Sequence, residues 1–205
     1  MTNVKQGTTQ VASYDYDAFG HRTQTEIGTS KYEYIYDRQG KPYETVTGLN
    51  FQQTELYADA THVGVYASGT TQFSHVNWLG TETVHTGPGG SDNSTCSGYL
   101  PFGDGATCSG TAQTWDQPQF TGQWQDLETD LDHMANRYYS PVEGRWTTPD
   151  PSGINSVDPT NPQSRNFYAY VGNNPSIFTD PTGLQNGCPI PANQGGLMHT
   201  TIDSR

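Results

Sequence analysis

The 205-residue chain is short of basic residues: nine Lys and Arg stand against 21 Asp and Glu, for a formal charge of −12. A surface of that sign repels phosphate backbones, which excludes nucleic-acid binding as an expectation. Apolar residues make up only 31% and mean hydropathy is −0.77, with no apolar run beyond a few residues, so no membrane span is expected. Charged residues are also scarce, at 15%, whereas aromatics reach 12% with 13 tyrosines. That combination is not the signature of a charge-swollen disordered chain. A turn-rich, Tyr- and Thr-rich β protein remains.

Cysteine is scarce too. Cys96 and Cys108 flank one segment and can pair in an oxidising compartment, Cys188 has no partner in the sequence, and three free thiols are the equal alternative. The polar opening Met1-Thr2-Asn3-Val4-Lys5 has no apolar h-region, so no signal peptide is read there. Two options follow: a cytoplasmic protein, or an excerpt from a longer secreted or cell-surface one. The excerpt is favoured because a repeat is under way by Tyr14. The six histidines, 21, 62, 75, 85, 133 and 199, show no ligand spacing and there is no Cys-x-x-Cys, so neither a metal nor a cofactor is expected.

Tyr16-Asp17-Ala18-Phe19-Gly20 recurs as Tyr36-Asp37-Arg38-Gln39-Gly40, with a weaker echo in Leu100-Pro101-Phe102-Gly103-Asp104. Between the first two, Tyr32, Tyr34 and Tyr36 alternate with Glu33, Ile35 and Asp37, the period of a strand. The unit reads as strand, Asp-x-x-Gly turn, strand, with Asp capping its own turn and Gly supplying positive φ. One such hairpin cannot bury its apolar face alone and must stack on its neighbours. The tyrosines are expected to line the sheet as a ladder with hydroxyls reaching water.

Further strands are expected around Ser68-Gly69, in His62–Tyr66 and Phe73–Trp78. Residues 87–114 read as long loops around one short strand, Gly98 to Phe102. Trp124, Leu127, Leu131 and Met134 form a helical stripe whose outer face would carry Asp126, Glu128, Asp130 and Asp132. The extended look of Arg137–Tyr139 and Arg145–Thr148 favours instead a turn followed by a strand. Beyond Pro149, the pairs Asp150-Pro151, Asp158-Pro159 and Asp180-Pro181 break regular structure, leaving room for one helical turn at Phe167–Val171. The tail after Leu184 is expected to be poorly structured.

The order of motifs is more specific than any one of them. After the repeats come Trp78-Leu79-Gly80-Thr81, Tyr99-Leu100-Pro101-Phe102-Gly103, Phe120-Thr121-Gly122, Asp126-x-Glu128-Thr129 and Arg137-Tyr138-Tyr139. Gly144-Arg145-Trp146-x-x-Pro149-Asp150-Pro151, Asn166-x-Tyr168-x-Tyr170-x-x-Asn173-Asn174-Pro175 and Asp180-Pro181-Thr182-Gly183-Leu184 complete the series. Over residues 14–184 this resembles the Rhs/YD-repeat proteins, specifically their repeat-associated core. It departs at Gln123-Trp124-Gln125-Asp126, where the family is usually basic, and at Asp130, where Gly is common.

The resemblance implies an all-β fold: spiralling hairpins closed by an irregular, Pro-rich C-terminal plug. It divides the chain into a leader or truncated repeat at 1–13, YD-repeat hairpins at 14–119, the core at 120–184 and a variable tail at 185–205. It implies a shell enclosing a C-terminal toxin or effector, with the rest of the shell, the effector and a secretion apparatus or cell surface as partners. It also implies self-cleavage at Leu184–Gln185 by aspartates and an arginine, matched here by Asp150, Asp180 and Arg137. The enzyme would be at most a single-turnover aspartyl autoprotease. Two carboxylates held close share a proton, so one can activate water while the other protonates the leaving amine. From the residues alone, both acids read as caps of their own Asp-Pro corners, and Arg137 as a partner of Tyr138, Tyr139 or an acid; only the motif series brings the catalytic reading level with that one. The alternative function is a non-catalytic shell or cell-surface adhesion module. A paired-carboxylate glycosidase is disfavoured, since no sugar cleft is recognisable.

Overall fold

The computed structural model describes residues 2–59, 61–110 and 117–184. Two antiparallel sheets make up the fold, joined to short 3-10 turns, with no α-helix among the described residues. No helix among the described residues is long and apolar enough to cross a membrane. The first sheet is an 11-stranded meander in sequence order. It contains β1 (Asn3–Gln6), β2 (Thr9–Tyr16), β3 (Arg22–Ile27), β4 (Ser30–Tyr36), β5 (Pro42–Thr47) and β6 (Asn50–Ala58). It continues through β7 (Thr61–Ala67), β8 (Thr70–Val76), β9 (Glu82–Thr86), β10 (Asp92–Ser97) and β11 (Thr107–Gly110). The second sheet has five strands: β12 (Gln117–Pro118), β13 (Trp124–Asp126), β14 (Leu131–His133), β15 (Tyr138–Ser140) and β16 (Arg145–Trp146).

The repeat turn is built as its residues dictate. Asp17 Oδ1 accepts the amides of Phe19 and His21, at 2.8 and 2.9 Å, and Gly20 N donates to the Asp17 carbonyl. Gly20 completes the turn at φ 88°, a conformation that costs a side chain-bearing residue about 1–2 kcal/mol. Asp37 and Asn77 cap identical turns. The backbone pattern also recurs at Leu100, whose amide meets the Asp104 carbonyl at 2.8 Å while Gly103 N returns to the Leu100 carbonyl. That bonding explains why Gly98–Phe102, read as a strand from the sequence, is a turn instead. The segment expected to be loops pairs as β10 and β11, with Cys96 opposite Cys108 and a disulfide joining them.

The stretch from Trp124 to Met134 is strand, turn, strand. Asp130 sits in the turn at φ 56°, which accounts for the family's glycine at this position. Asp126 and Asp132, which a helix would have turned outward, are fully buried. Three short 3-10 turns occupy 153–156, 162–165 and 171–173, in place of a single helical turn at Phe167–Val171. Side-chain oxygens of Asp150, Asp158, Asn161 and Asn166 cap amides two residues on, so each corner of this segment carries its own short turn.

The apolar core lies on one face of the second sheet, where Phe120, Met134, Tyr139, Trp146, Tyr170 and Val171 pack with Phe102 and Phe178. The opposite face docks on the ribbon. Arg22 forks onto Asp126 with two bonds of 2.7 Å, bonds the Tyr138 hydroxyl at 2.7 Å and lies 4.2 Å over the Tyr14 ring. Burial works against the Arg22 charge, but the bonded Asp126 carboxylate outweighs it and raises the pKa. Tyr14 donates to Glu128, and the Tyr16 and Tyr138 hydroxyls meet at 2.6 Å. Tyr34 and Tyr36 bond Thr25 Oγ1 and the Arg22 carbonyl. These hydroxyls therefore bind protein groups rather than water. Farther along, Thr121 N donates to Thr81 Oγ1 and Glu82 N to the Gln119 carbonyl, so the start of β9 meets the 3-10 turn at 120–122 that joins β12 to β13.

Two stability predictions follow from these locks. Arg22→Met, which strands a buried carboxylate, should cost about 3–5 kcal/mol in urea unfolding, and Arg22→Met/Asp126→Leu together should cost clearly less. Reducing the Cys96–Cys108 bond should remove about 2–4 kcal/mol from this hairpin, read as a lower Tm in dithiothreitol that Cys96→Ser/Cys108→Ser reproduces without reductant.

Candidate functional site

Arg137 ends the turn after β14, where Met134 N bonds its carbonyl, and enters β15 with 5% of its surface exposed. Its guanidinium lies 4.1 Å over the Trp146 ring, brought there by the pairing of β15 with β16. This stack takes the place of the contact with Tyr138 or Tyr139 considered from sequence. Nε donates to the Gly183 carbonyl, and Nη1 reaches the Phe167 carbonyl at 3.3 Å. Nη2 faces two acids, with Asp150 Oδ2 at 3.4 Å and Asp180 Oδ2 at 3.7 Å. Burial lowers the Arg137 pKa, and the charges of Asp150 and Asp180 oppose that shift.

Each acid divides its oxygens. Asp150 Oδ1 accepts Ser152 N at 2.8 Å and Asp180 Oδ1 accepts Gly183 N at 2.9 Å and Leu184 N at 3.2 Å, leaving each Oδ2 toward Arg137. Backbone bonds fix the remaining approach: Asp150 N to the Phe167 carbonyl, and Asn136 N to the Thr182 carbonyl. Asn136 Nδ2 adds a second bond to Thr182 O at 3.0 Å. Gly183 has φ 72°, and a Cβ there would stand 3.3 Å from both Arg137 N and the Trp146 ring. Only glycine lets the chain pass this close.

Asp150, Asp180, Arg137 and the Leu184 amide thus converge, although the acids and arginine are far apart in sequence. Gln185 and the tail to 205, with Cys188, lie outside the described residues. The 183–184 peptide unit is held at both ends, its carbonyl by Arg137 and its amide by Asp180. Asp180 is nearly closed off, with 2% of its side chain exposed, and Asp150 is more open at 14%. Two carboxylates against one guanidinium leave an excess negative charge. Sequence reasoning missed Trp146 as the platform for Arg137; Gly144-Arg145-Trp146 was visible, but its pairing partner was not. No group of three or more His, Cys, Asp or Glu among the described residues could hold a metal.

No family model matches the chain. The tRNA3(Ser)-specific nuclease WapA of Bacillus spizizenii is 27% identical over 176 residues, covering 84% of this chain and 7% of that protein. The probable deoxyribonuclease RhsA of Dickeya dadantii is 38% identical over 73 residues, 36% of this chain and 4% of its own length. The chain therefore spans less than a tenth of either relative. Among solved structures, a Photorhabdus luminescens Tc holotoxin pore with a TccC3 mutation superposes with TM-score 0.65 at 21% identity, over 96% of this chain and 10% of that one. That likeness is one of fold. With toxin-associated Rhs and Tc proteins as its relatives and their hairpin architecture as its fold, the chain is an Rhs/YD-repeat sequence of the repeat-associated core type.

Proposed function

We propose that the chain is the closing core of an Rhs/YD-repeat shell that encloses a C-terminal toxin or effector, and that it cuts itself once after Leu184. The observation that carries the reading is the convergence of Asp150 and Asp180 on one Arg137 nitrogen beside a gripped 183–184 peptide. In this reading Asp150, the more open acid, accepts a proton from water as its oxygen attacks the Leu184 carbonyl. The Leu184–Gln185 C–N bond then breaks, and Asp180 in its acid form delivers a proton to the leaving nitrogen. Leu184 is left with a carboxylate and Gln185 with an amine. Arg137 holds the preceding carbonyl and compensates charge building nearby. A tethered bond needs no binding step, so a modest site suffices for one turnover. The rest of the shell and the enclosed effector are the partners, with a secretion apparatus or cell surface as the delivery context of a longer protein.

A second reading has an observation of its own. Both acids already cap turns through Oδ1, which a non-catalytic shell or adhesion module would need equally. Intact-mass spectrometry separates the two. Asp150→Asn and Asp180→Asn keep a carbonyl oxygen for the cap but lose the charge. The wild type should lose the tail from Gln185 to Arg205, while either variant keeps its fold and cuts ~10²–10⁴-fold more slowly. Equal full-length masses for all three proteins would leave only the scaffolding role.

A further inference from the structure

The buried face of the ribbon carries a continuous line of titratable side chains outside the Arg137 site. Gln53 Nε2 donates to Glu55 Oε1 at 2.6 Å, and Glu55 Oε2 meets His62 Nε2 at 2.8 Å. His62 Nδ1 meets Glu82 Oε1 at 2.6 Å, Glu82 Oε2 meets His85 Nε2 at 2.8 Å, and His85 Nδ1 ends the line on Ser94 Oγ at 2.9 Å. Glu55 and Glu82 have 2% and 3% of their side chains exposed, and His62 12%. The line crosses from β6 to β10, and its His62–Glu82 bond links β7 to β9, which are not neighbours in the sheet. The intervening β8 presents Ser74 opposite His85, small enough to leave the crossing open.

Both ring nitrogens of His62 face carboxylate oxygens, and only an imidazolium can donate from both. A neutral ring would turn a lone pair toward one of the two glutamates. We propose that the Glu55–His62–Glu82–His85 line is a proton-controlled staple that holds β7 against β9 and steadies the seam where the ribbon meets the closing core. The seam is adjacent in the chain: Glu82 N bonds the Gln119 carbonyl, and its neighbour Thr81 accepts Thr121 N. This inference stands apart from self-cleavage, since it uses none of the same residues.

Burial alone would lower the His62 pKa, but the bonded Glu55 and Glu82 raise it from 6.5 to about 9. Burial would raise Glu82, yet the bonds from His62 and His85 bring it below its ordinary 4.5. Charged and titratable groups around the line among the described residues include Tyr57, Lys41, Asp37, Tyr99 and Asp132. Tyr57 lies edge-on to His62 at 5.4 Å, with Lys41 5.2 Å over its ring, and Tyr99 feels Glu82 and Asp132. The His62 contribution is complete below pH 6.5 and is lost as pH rises through about 9. The Glu82 contribution is present above pH 4.5 and is lost as pH falls through its lower folded value. The staple is therefore strongest between pH 4.5 and 6.5 and releases on either side.

Imidazole NMR titration of the full chain, with amide hydrogen exchange at Glu82 and its β9 neighbours, tests this. His62 should titrate near pH 9, and protection of the Glu82 amide should fall over the same range. In His62→Gln that protection should be lower at pH 6 and lose its extra decline toward pH 10. Should His62→Gln fail to fold, Glu55→Gln must move the His62 midpoint downward. A His62 midpoint at or below 6.5, or parallel protection profiles in wild type and His62→Gln, overturns the proposal; so does an unmoved midpoint in Glu55→Gln.

Discussion

A short acidic side chain that uses one oxygen to close its own backbone turn is the constraint on which this structure rests. At Asp17 and Asp37, Oδ1 accepts amides two and four residues on, which fixes the reversal that sends each strand back along its neighbour. The same device appears at Asp150, Asp158 and Asp180, where no regular hairpin exists. Because the cap uses one oxygen, the other can point elsewhere. In the repeat, Asp17 Oδ2 goes to His21. In the closing segment, two such oxygens are aimed at one guanidinium. A motif that only turns the chain in the ribbon thus becomes a way of presenting acids at its end.

The low apolar content has a structural counterpart. The ribbon buries Thr25, Thr45, Gln53, Glu55, Glu82 and His85 on a face that many sheets would fill with aliphatic residues. Burying such groups is tolerable only when they are paired, since each lost partner costs about 1–3 kcal/mol. Here the pairing extends in a line across strands, so the ribbon's inner surface is held by directional bonds. Conventional apolar packing is concentrated on one face of the second sheet, around Tyr139, Trp146 and Tyr170. The second sheet therefore has two differently built faces, one apolar and one formed by Arg22, Asp126 and tyrosine hydroxyls.

What could be read from the sequence was local or ordered. The period of two at Tyr32–Tyr36 and the Asp-x-x-Gly spacing are imprinted within a single hairpin, and β4 and its flanking turns follow them. The motif series carried Asp150, Asp180 and Arg137 to one place. What could not be read depends on contacts between distant residues. Arg22 and Asp126 lie 104 positions apart, and no periodicity links them. The same contact explains why Asp126 is buried, although its neighbourhood suggested a solvated face. Tyrosine hydroxyls were expected in water because alternation shows which face a residue is on, not what packs over that face. The strand expected at Gly98–Phe102 failed because the Leu100 amide closes on the Asp104 carbonyl and Gly103 N returns to Leu100 O, the repeat's own turn.

Two arginine–aspartate clusters among the described residues are built differently. At Arg22, one carboxylate meets one guanidinium through two bonds of 2.7 Å, and Tyr138 takes a further donor. Charge is matched and both bonds are short, so a proton moving to Asp126 would break the pairing, although burial pushes the Asp126 pKa up against the Arg22 bond. At Arg137, one guanidinium faces two carboxylates at 3.4 and 3.7 Å while its other donors are held by backbone carbonyls. One positive charge cannot satisfy both acids, and neither contact is short. The Arg137 cluster therefore carries a surplus negative charge that the Arg22–Asp126 pair does not. The Arg137 cluster also grips a backbone, at the carbonyl of Gly183 and the amide of Leu184, and this hold on the 183–184 peptide sets it apart from the side-chain pairing at Arg22.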